Sequence, residues 1–371
     1  MTISCEDREW LEACARESGF DLAGLAAVPE PESERAAVSD QRFADWVEAG
    51  HAGEMDYLKR ADEAGEYVRG DLRRAMPWAR SVMVCAVNYN ADAPRSIDPA
   101  DAGAGWIARY AWSGRDDHGS DYHDVLLPML REVEAKLHEH FASCETRCYV
   151  DTGPIVEREY AARAGVGWIG KNTCVLNQQQ GSWLLLGVIV TSLELPTEAW
   201  SLPAADRCGT CTRCIDACPT DALIGNRQMD ASRCIAYLTI EKKGSIDEGL
   251  RPLMGRQVFG CDICQDVCPW NRRAPIMATS ALPARQELMN PALEWLAAMD
   301  GRDFNRWFRG SPLERTRRKR VLRNVAIAMG NSGESRFMSR LAEWAKGEDA
   351  VLAEAAAWAL GRIRAVETRA K

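Results

Sequence analysis

The sequence has no run of 18 or more apolar residues, the length at which a membrane-crossing helix becomes a candidate. Its longest candidate, Trp183 to Val190, is the length of a strand. The chain opens Met-Thr-Ile-Ser-Cys-Glu-Asp-Arg-Glu-Trp, with no basic segment leading into an apolar run and no twin arginine. No export signal is therefore expected, and the expected setting is the cytoplasm, away from membranes. An excess of positive charge is missing too: 46 Lys and Arg stand against 54 Asp and Glu, a net charge of −8. That argues against nonspecific coating of nucleic acid and leaves room for a local basic patch.

What the chain does have is cysteine. Fourteen are many for a cytoplasmic protein, where disulfides are disfavoured, so metal or redox use is the better explanation. Eight lie between 208 and 268. The other six, Cys5, Cys14, Cys85, Cys144, Cys148 and Cys174, are expected to be small buried hydrophobes. With 371 residues and 46% apolar content, two or three soluble domains are expected.

Pattern divides the chain into three. Residues 4–18 read as a helix, and Asp40 to Gly50 as another that ends at the glycine. Ser81 to Tyr89 is β-branched and reads as a buried strand, and Asn90 to Gly105 as a loop. Tyr122 to Phe141 is helical. Cys148 to Asp151 is a short strand running into Thr152-Gly153-Pro154, with Pro154 suited to the first turn of a helix over 155–164. Trp183 to Leu195 is a second long strand. Strands alternating with helices predict an α/β or α+β reductase domain over 1–200. After a proline-containing linker, a cysteine-rich ferredoxin-like domain is expected over 201–285. A helical segment follows over 286–371, in which Ala326-Ile-Ala-Met-Gly330 and Ala357-Trp-Ala-Leu-Gly361 share a pattern 31 residues apart, as in a HEAT-like repeat. The fold class is thus α+β and multidomain.

Cys208, Cys211, Cys214 and Cys218 follow C-x-x-C-x-x-C-x-x-x-C with Pro219 next. Cys261, Cys264 and Cys268 follow C-x-x-C-x-x-x-C with Pro269 next, and Cys234 lies between. Short loops wrap three thiolates around one cubane, and the x-x-x step opens a helix that carries the next thiolate to a neighbouring one. By this crossover one 4Fe–4S cluster takes Cys208, Cys211, Cys214 and Cys268, and the other takes Cys218, Cys234, Cys261 and Cys264. Paired structural zinc sites would use C-x-x-C as well, but do not account for the third cysteine or for the two Cys-Pro steps.

The stretch Tyr149-Val-Asp-Thr-Gly-Pro-Ile-Val-Glu-Arg-Glu-Tyr-Ala-Ala-Arg-Ala-Gly-Val-Gly-Trp-Ile-Gly-Lys-Asn172 carries the second signal. On chemistry alone Asp151 is either a helix cap or a functional acid at a strand end. Taken with the cysteine block, the chain resembles the epoxyqueuosine reductases. The likeness rests on Val150-Asp-Thr-Gly-Pro154, Gly167-Trp-Ile-Gly-Lys-Asn-Thr173, Cys208-Gly-Thr-Cys-Thr-Arg-Cys-Ile-Asp-Ala-Cys-Pro-Thr220, Tyr237-Leu-Thr-Ile-Glu-Lys242 and Cys261-Asp-Ile-Cys-Gln-Asp-Val-Cys-Pro-Trp-Asn271.

The resemblance implies reduction of epoxyqueuosine at the wobble position of a tRNA anticodon to queuosine, the last step of queuosine biosynthesis, by a monomer. The implied cofactors are two 4Fe–4S clusters and a base-off cobalamin, fed by an unidentified reductant or electron-donor protein. Asp151 would be the proton donor, and Asp121, Tyr122 and His123 would line the substrate pocket. Asp151, Lys171 and Asn172 would lie against the corrin. A helix N-terminus favours an ionised carboxylate, whereas a proton donor must hold its proton at neutral pH, which a closed, corrin-covered pocket could arrange. One departure stands out: the run Arg109-Tyr-Ala-Trp-Ser-Gly-Arg-Asp-Asp-His-Gly-Ser-Asp-Tyr-His123 is longer than the family's segment and offers both His118 and His123. His123 is preferred because Asp121-Tyr122-His123 continues into the expected helix.

From Arg302 to Arg323 nine Arg or Lys residues stand against Asp303 and Glu314, with Phe304, Trp307 and Phe308 interleaved. This is either a solvated basic helix face or a phosphate-binding patch for structured RNA. Lys242 and Lys243 are smaller candidates for anticodon-loop contact. Two competing functions remain: a cytoplasmic corrinoid and iron–sulfur reductase of a small molecule, of the reductive-dehalogenase kind, and an electron carrier with a helical docking module. The second does not account for a first domain of this size.

Overall fold

The computed structural model describes residues 1–30, 33–115, 118–225, 227–277 and 281–369. The first segment is built on a four-stranded sheet of β1 (Leu22–Ala27), β2 (Ser81–Asn88), β3 (Thr146–Tyr149) and β4 (Leu184–Thr191), in the order β1-β2-β4-β3. Every pairing in it is antiparallel, so the domain is α+β and lacks the parallel sheet of a βαβ repeat. All eight residues of β2 are buried because both faces of the sheet are covered. Met83, Cys85 and Val87 meet α1 (Cys5–Glu17) and the long helix α3 (Tyr122–His140). Val82, Val84 and Ala86 meet Leu72, Met76 and α4 (Glu157–Arg163) on the other side. The approach of α4 is close: a Cβ on Gly24 of β1 would stand 2.0 Å from the carbonyl oxygen of Ala164.

Local signals set the helix ends. Ser4 and Asp7 form a reciprocal capping box on α1. α2 (Glu34–Glu48) starts at a Ser33 cap, six residues before the expected start, and Gly50 at φ 78° stops the chain where expected. Asp121 caps α3, accepting from the His123 amide at 3.1 Å. α4 starts later than its proline suggests: Val156 occupies the cap position, and Pro154 lies outside the helix.

Two short helices, Arg213–Asp216 and Ile263–Asp266, carry the cysteine motifs. The C-terminal part contains Leu293–Ala298, Gly301–Phe308, α5 (Pro312–Ser332), Met338–Trp344 and α6 (Ala350–Arg369). The two Ala-rich patterns noted in the sequence bring α5 and α6 together: a Cβ on Gly330 would stand 2.8 Å from the Ala359 Cα. The core beneath these helices is not theirs alone. It also contains Trp106, Ile107 and Trp112 from the first segment and Ile235, Val258 and Phe259 from the cysteine-rich one. Strand Gln257–Phe259 pairs in parallel with Trp106–Ile107 inside it. Arg323, 1% exposed, ties α5 to this layer by donating to the carbonyls of Leu238, Lys242 and Gly244 at 2.6–2.8 Å.

Candidate functional site

The cysteines of the block stand close enough to one another to shift one another's thiols. Burial pushes the Cys268 thiol up to about 11, and its neighbours Cys214 and Cys208 add to the rise. Burial also raises Cys214, which is flanked by Cys208 and Cys211. In the other set burial raises Cys261, beside Cys234 and Cys218, and Cys234, beside Cys218. Backbone N–H groups point at these sulfurs: Ile215 at Cys214, Trp270 at Cys268, Ala236 and Tyr237 at Cys234, and Ile263 at Cys261. The indole of Trp168 donates to the Cys208 sulfur at 3.5 Å. N–H groups aimed at thiolates are what an iron–sulfur cluster needs to hold negative charge in a protein interior, so the donor set fits two such clusters.

The scattered cysteines are less uniform than expected. Cys14, Cys85 and Cys144 are buried, but Cys5 is exposed, and Cys148 and Cys174 are half-buried. Cys174 shares a hydrogen bond with Cys264 and so stands at the second cluster site.

Against this second site lies a cavity of about 2060 Å³. Ordinary small-molecule pockets span roughly 300–1,000 Å³, so this one is sized for a large ligand. Cys174, Cys234 and Gln265 belong to its cluster-side wall, the Leu184–Leu186 end of β4 to another, and Asp151, Tyr122 and Arg315 to a third. Large volume, tyrosine-rich lining and a wall shared with a cluster site fit a planar macrocyclic cofactor.

Asp151 follows β3 in a bend, with φ 58°. It caps no helix. A non-glycine residue held in the left-handed region costs about 1–3 kcal/mol and persists where surrounding structure enforces it, often at functional sites. Tyr122 donates to Asp151 Oδ2 at 3.0 Å. His123 Nδ1 sits 2.6 Å from Asp121 Oδ1, while its Nε2 is buried without a partner and stands 4.0 Å from Asp151 Oδ2. Burial works to raise Asp121, yet the His123 hydrogen bonds hold its carboxyl below the usual range. Burial pushes the Tyr122 hydroxyl far up, so it remains a proton-bearing donor.

The structure therefore brings together Asp121, Tyr122, His123 and Asp151. His118 is exposed, on the strand pair Gly114–Arg115/His118–Gly119, and Asp116 and Asp117 of the same run lie outside the described residues. Lys171 and Asn172 do not line the cavity. Lys171 Nζ donates to the carbonyls of Gly209 and Cys211 at 2.7 and 3.0 Å, and Asn172 Nδ2 to the carbonyl of Cys264 at 3.5 Å. They fasten the loop to the cluster segments, and it is Thr173 and Cys174 next in sequence that reach the cavity. Lys242 is paired with Glu54, whereas Lys243 is exposed.

Two site residues escaped the sequence reading. Arg315 stands 3.9 Å from Asp121 Oδ2, and although burial opposes its charge, Tyr122 and Asp121 hold it firmly protonated. Arg317 at φ 61° kinks α5 just beyond it. Its signal was membership of the basic run, which names no individual residue. Glu157 is the other: burial, reinforced by the charge of Asp151, pushes its carboxyl up to about 7, and its buried Oε1 has no partner. It sits in the quoted glycine-rich stretch, but nothing in that stretch says which carboxylates turn inward.

Comparison with known proteins gives a consistent picture. A family model described as "Epoxyqueuosine reductase QueG, DUF1730" matches residues 69–152, and one described as "4Fe-4S double cluster binding domain" matches 207–271. The epoxyqueuosine reductase of Xanthomonas campestris pv. campestris is 35% identical over 95% of this chain and 95% of its own. That of Escherichia coli K12 is 34% identical over 93% of this chain and 86% of its own. A crystal structure of epoxyqueuosine reductase with a tRNA-Tyr epoxyqueuosine-modified stem loop superposes with a TM-score of 0.83 at 28% identity, covering 96% of this chain and 90% of the other. A Bacillus subtilis epoxyqueuosine reductase, with its catalytic aspartate loop swung out of the active site, gives 0.82 at 28% identity over the same shares, 96% and 90%.

Proposed function

The chain belongs to the epoxyqueuosine reductase family, and on that premise we propose that it reduces epoxyqueuosine at the wobble position of tRNA to queuosine. The reading includes two 4Fe–4S clusters on the two cysteine sets and a base-off cobalamin in the large cavity. The observation that carries it is the cavity itself, with second-cluster cysteines on one wall and Asp151, bonded to Tyr122, on another. When bound, the corrin would supply low-potential reducing chemistry that no side chain offers.

The protein's own part is binding and proton handling. Deoxygenation consumes two electrons and two protons and releases the epoxide oxygen as water. An alkoxide leaves poorly, so a positioned acid is required as the C–O bond breaks. Asp151 is that acid, held in its bend and oriented by the Tyr122 hydroxyl. Asp121 fixes the His123 ring so that Nε2 faces Asp151, from where a protonated imidazole can return the proton between steps. Arg315, exposed beside Asp121, offers a cation to the substrate's phosphate backbone. Exposed Arg302, Arg309, Arg317 and Lys319, with Lys243, extend the basic surface for the tRNA. The small-molecule alternative would leave that surface and Arg315 without a role.

The test is nucleoside analysis of epoxyqueuosine-containing tRNA after incubation with reconstituted enzyme and a strong reductant. Asp151→Asn should retain iron, sulfide and corrinoid while queuosine formation drops at least 100-fold, the range expected for loss of a general acid. A variant with wild-type rates would remove Asp151 from the mechanism.

A further inference from the structure

The two cluster sites differ in how they meet solvent. Around Cys208, Cys211 and Cys214 the intervening Gly209, Thr210, Thr212 and Arg213 are all exposed, whereas around Cys261 and Cys264 the residues Gly260, Asp262, Gln265 and Asp266 are buried. The second site shares its wall with the cavity and the first does not. Electrons bound for the cavity therefore enter at the first site.

The surface there has a distinct chemistry. Arg207 precedes Cys208, Arg213 precedes Cys214, and Arg272 and Arg273 follow Cys268 and Trp270; all four are exposed. Trp270, Ala204 and Cys208 pack together around Trp168 and Leu176, which draws the segments bearing these arginines to one site. The acids nearby are engaged: Asp206 pairs with Arg227, and Asp216 accepts from the Thr212 hydroxyl at 2.8 Å. Two exposed large apolar side chains lie within six residues in sequence of these arginines, Leu202 at 88% and Ile276 at 57% exposure. Exposed apolar side chains beside four exposed arginines, on a protein of net charge −8, are the pattern of a surface that steers a charged partner into a brief encounter.

We propose that this face docks an acidic, one-electron carrier protein of the ferredoxin or flavodoxin type. The inference rests on the iron–sulfur reading above. Each encounter oxidises the carrier by one electron and reduces the first cluster by one, and two encounters supply the pair that one deoxygenation consumes. Exposed apolar side chains beside the arginines favour a folded protein partner over RNA, whose contacts would be spread along phosphates.

The experiment is stopped-flow reduction of the cluster-loaded protein, read as bleaching of the iron–sulfur absorption. One arm uses a reduced plant-type ferredoxin of acidic charge, the other photoreduced deazariboflavin, which is uncharged. In the Arg213→Glu/Arg272→Glu/Arg273→Glu variant the ferredoxin arm should slow at least tenfold at low salt and lose its salt dependence, while the deazariboflavin arm keeps the wild-type rate and the iron content is unchanged. Arg302→Glu/Arg309→Glu, on the other basic surface, should leave both arms alone. An unchanged ferredoxin rate in the triple variant would overturn the proposal, as would a loss of tRNA affinity in it with ferredoxin reduction intact, which would assign the face to RNA. Wild-type protein that is reduced in both arms but forms no queuosine would count against the function and leave the docking claim supported.

Discussion

Glu157 offers a quantitative check on how the cavity is built. Its carboxyl is buried, is repelled by Asp151, and titrates at about 7 in the folded protein against 4.5 in the unfolded chain. The folded state therefore binds more protons than the unfolded state between these two values. The stability associated with the neutral carboxyl is fully present below about 4.5 and is lost as pH rises through about 7. The rise from 4.5 to about 7, at about 1.4 kcal/mol per pH unit, corresponds to about 3.5 kcal/mol as an upper bound. Glu157→Gln cannot ionise. Relative to wild type, its unfolding free energy in urea should rise by about 2–3 kcal/mol between pH 5 and pH 8.5, measured on corrin-free protein. In an Asp151→Asn background the difference should shrink, because the second cause of the shift is gone. Parallel pH curves for wild type and Glu157→Gln would refute the reasoning, since they would mean that Glu157 titrates as an ordinary surface carboxylate.

The interior and the surface of the basic segment should separate cleanly. Arg323→Ala leaves the carbonyls of Leu238, Lys242 and Gly244 without their donor, and should cost about 3–5 kcal/mol in unfolding free energy, with loss of soluble protein at 37 °C as the first sign. Arg309→Glu/Arg317→Glu, at exposed positions, should leave stability within about 0.5 kcal/mol and weaken tRNA binding with a shallower salt slope in a filter-binding titration.

The sequence was most informative where chemistry is local. Cluster ligation is a matter of short spacings, and the cysteine block read from C-x-x-C-x-x-C-x-x-x-C coincides with the 4Fe-4S double cluster match over residues 207–271. The two long strands of the central sheet, β2 and β4, were legible as β-branched apolar runs, whereas β1, built of Leu, Ala and Gly, was not read as a strand; His123 was chosen over His118 because helix periodicity begins at Tyr122. What could not be read depends on contacts far apart in sequence. Arg315 joins Asp121 across about two hundred residues, on a part of α5 that precedes a kink at Arg317 which helix periodicity does not announce. Lys171, a plausible cofactor contact from its motif, instead donates to carbonyls of the cluster loop. Strand direction was also hidden, since a strand buried on both faces reads as a continuous apolar run whether its sheet is parallel or antiparallel. Arg318, Arg320 and Arg323 count as charge in the sequence, yet each donates to backbone carbonyls within the fold.

The central claim joins three things in one chain: clusters that deliver electrons, a corrinoid in the cavity, and a modified tRNA as substrate. Its most direct test is an anaerobic single turnover of epoxyqueuosine-containing tRNA by cluster-loaded protein and a strong chemical reductant, with and without added cobalamin. The account predicts queuosine in the presence of cobalamin and none in its absence. Queuosine formed equally without any corrinoid, or no product with clusters and corrinoid both verified in place, would contradict it.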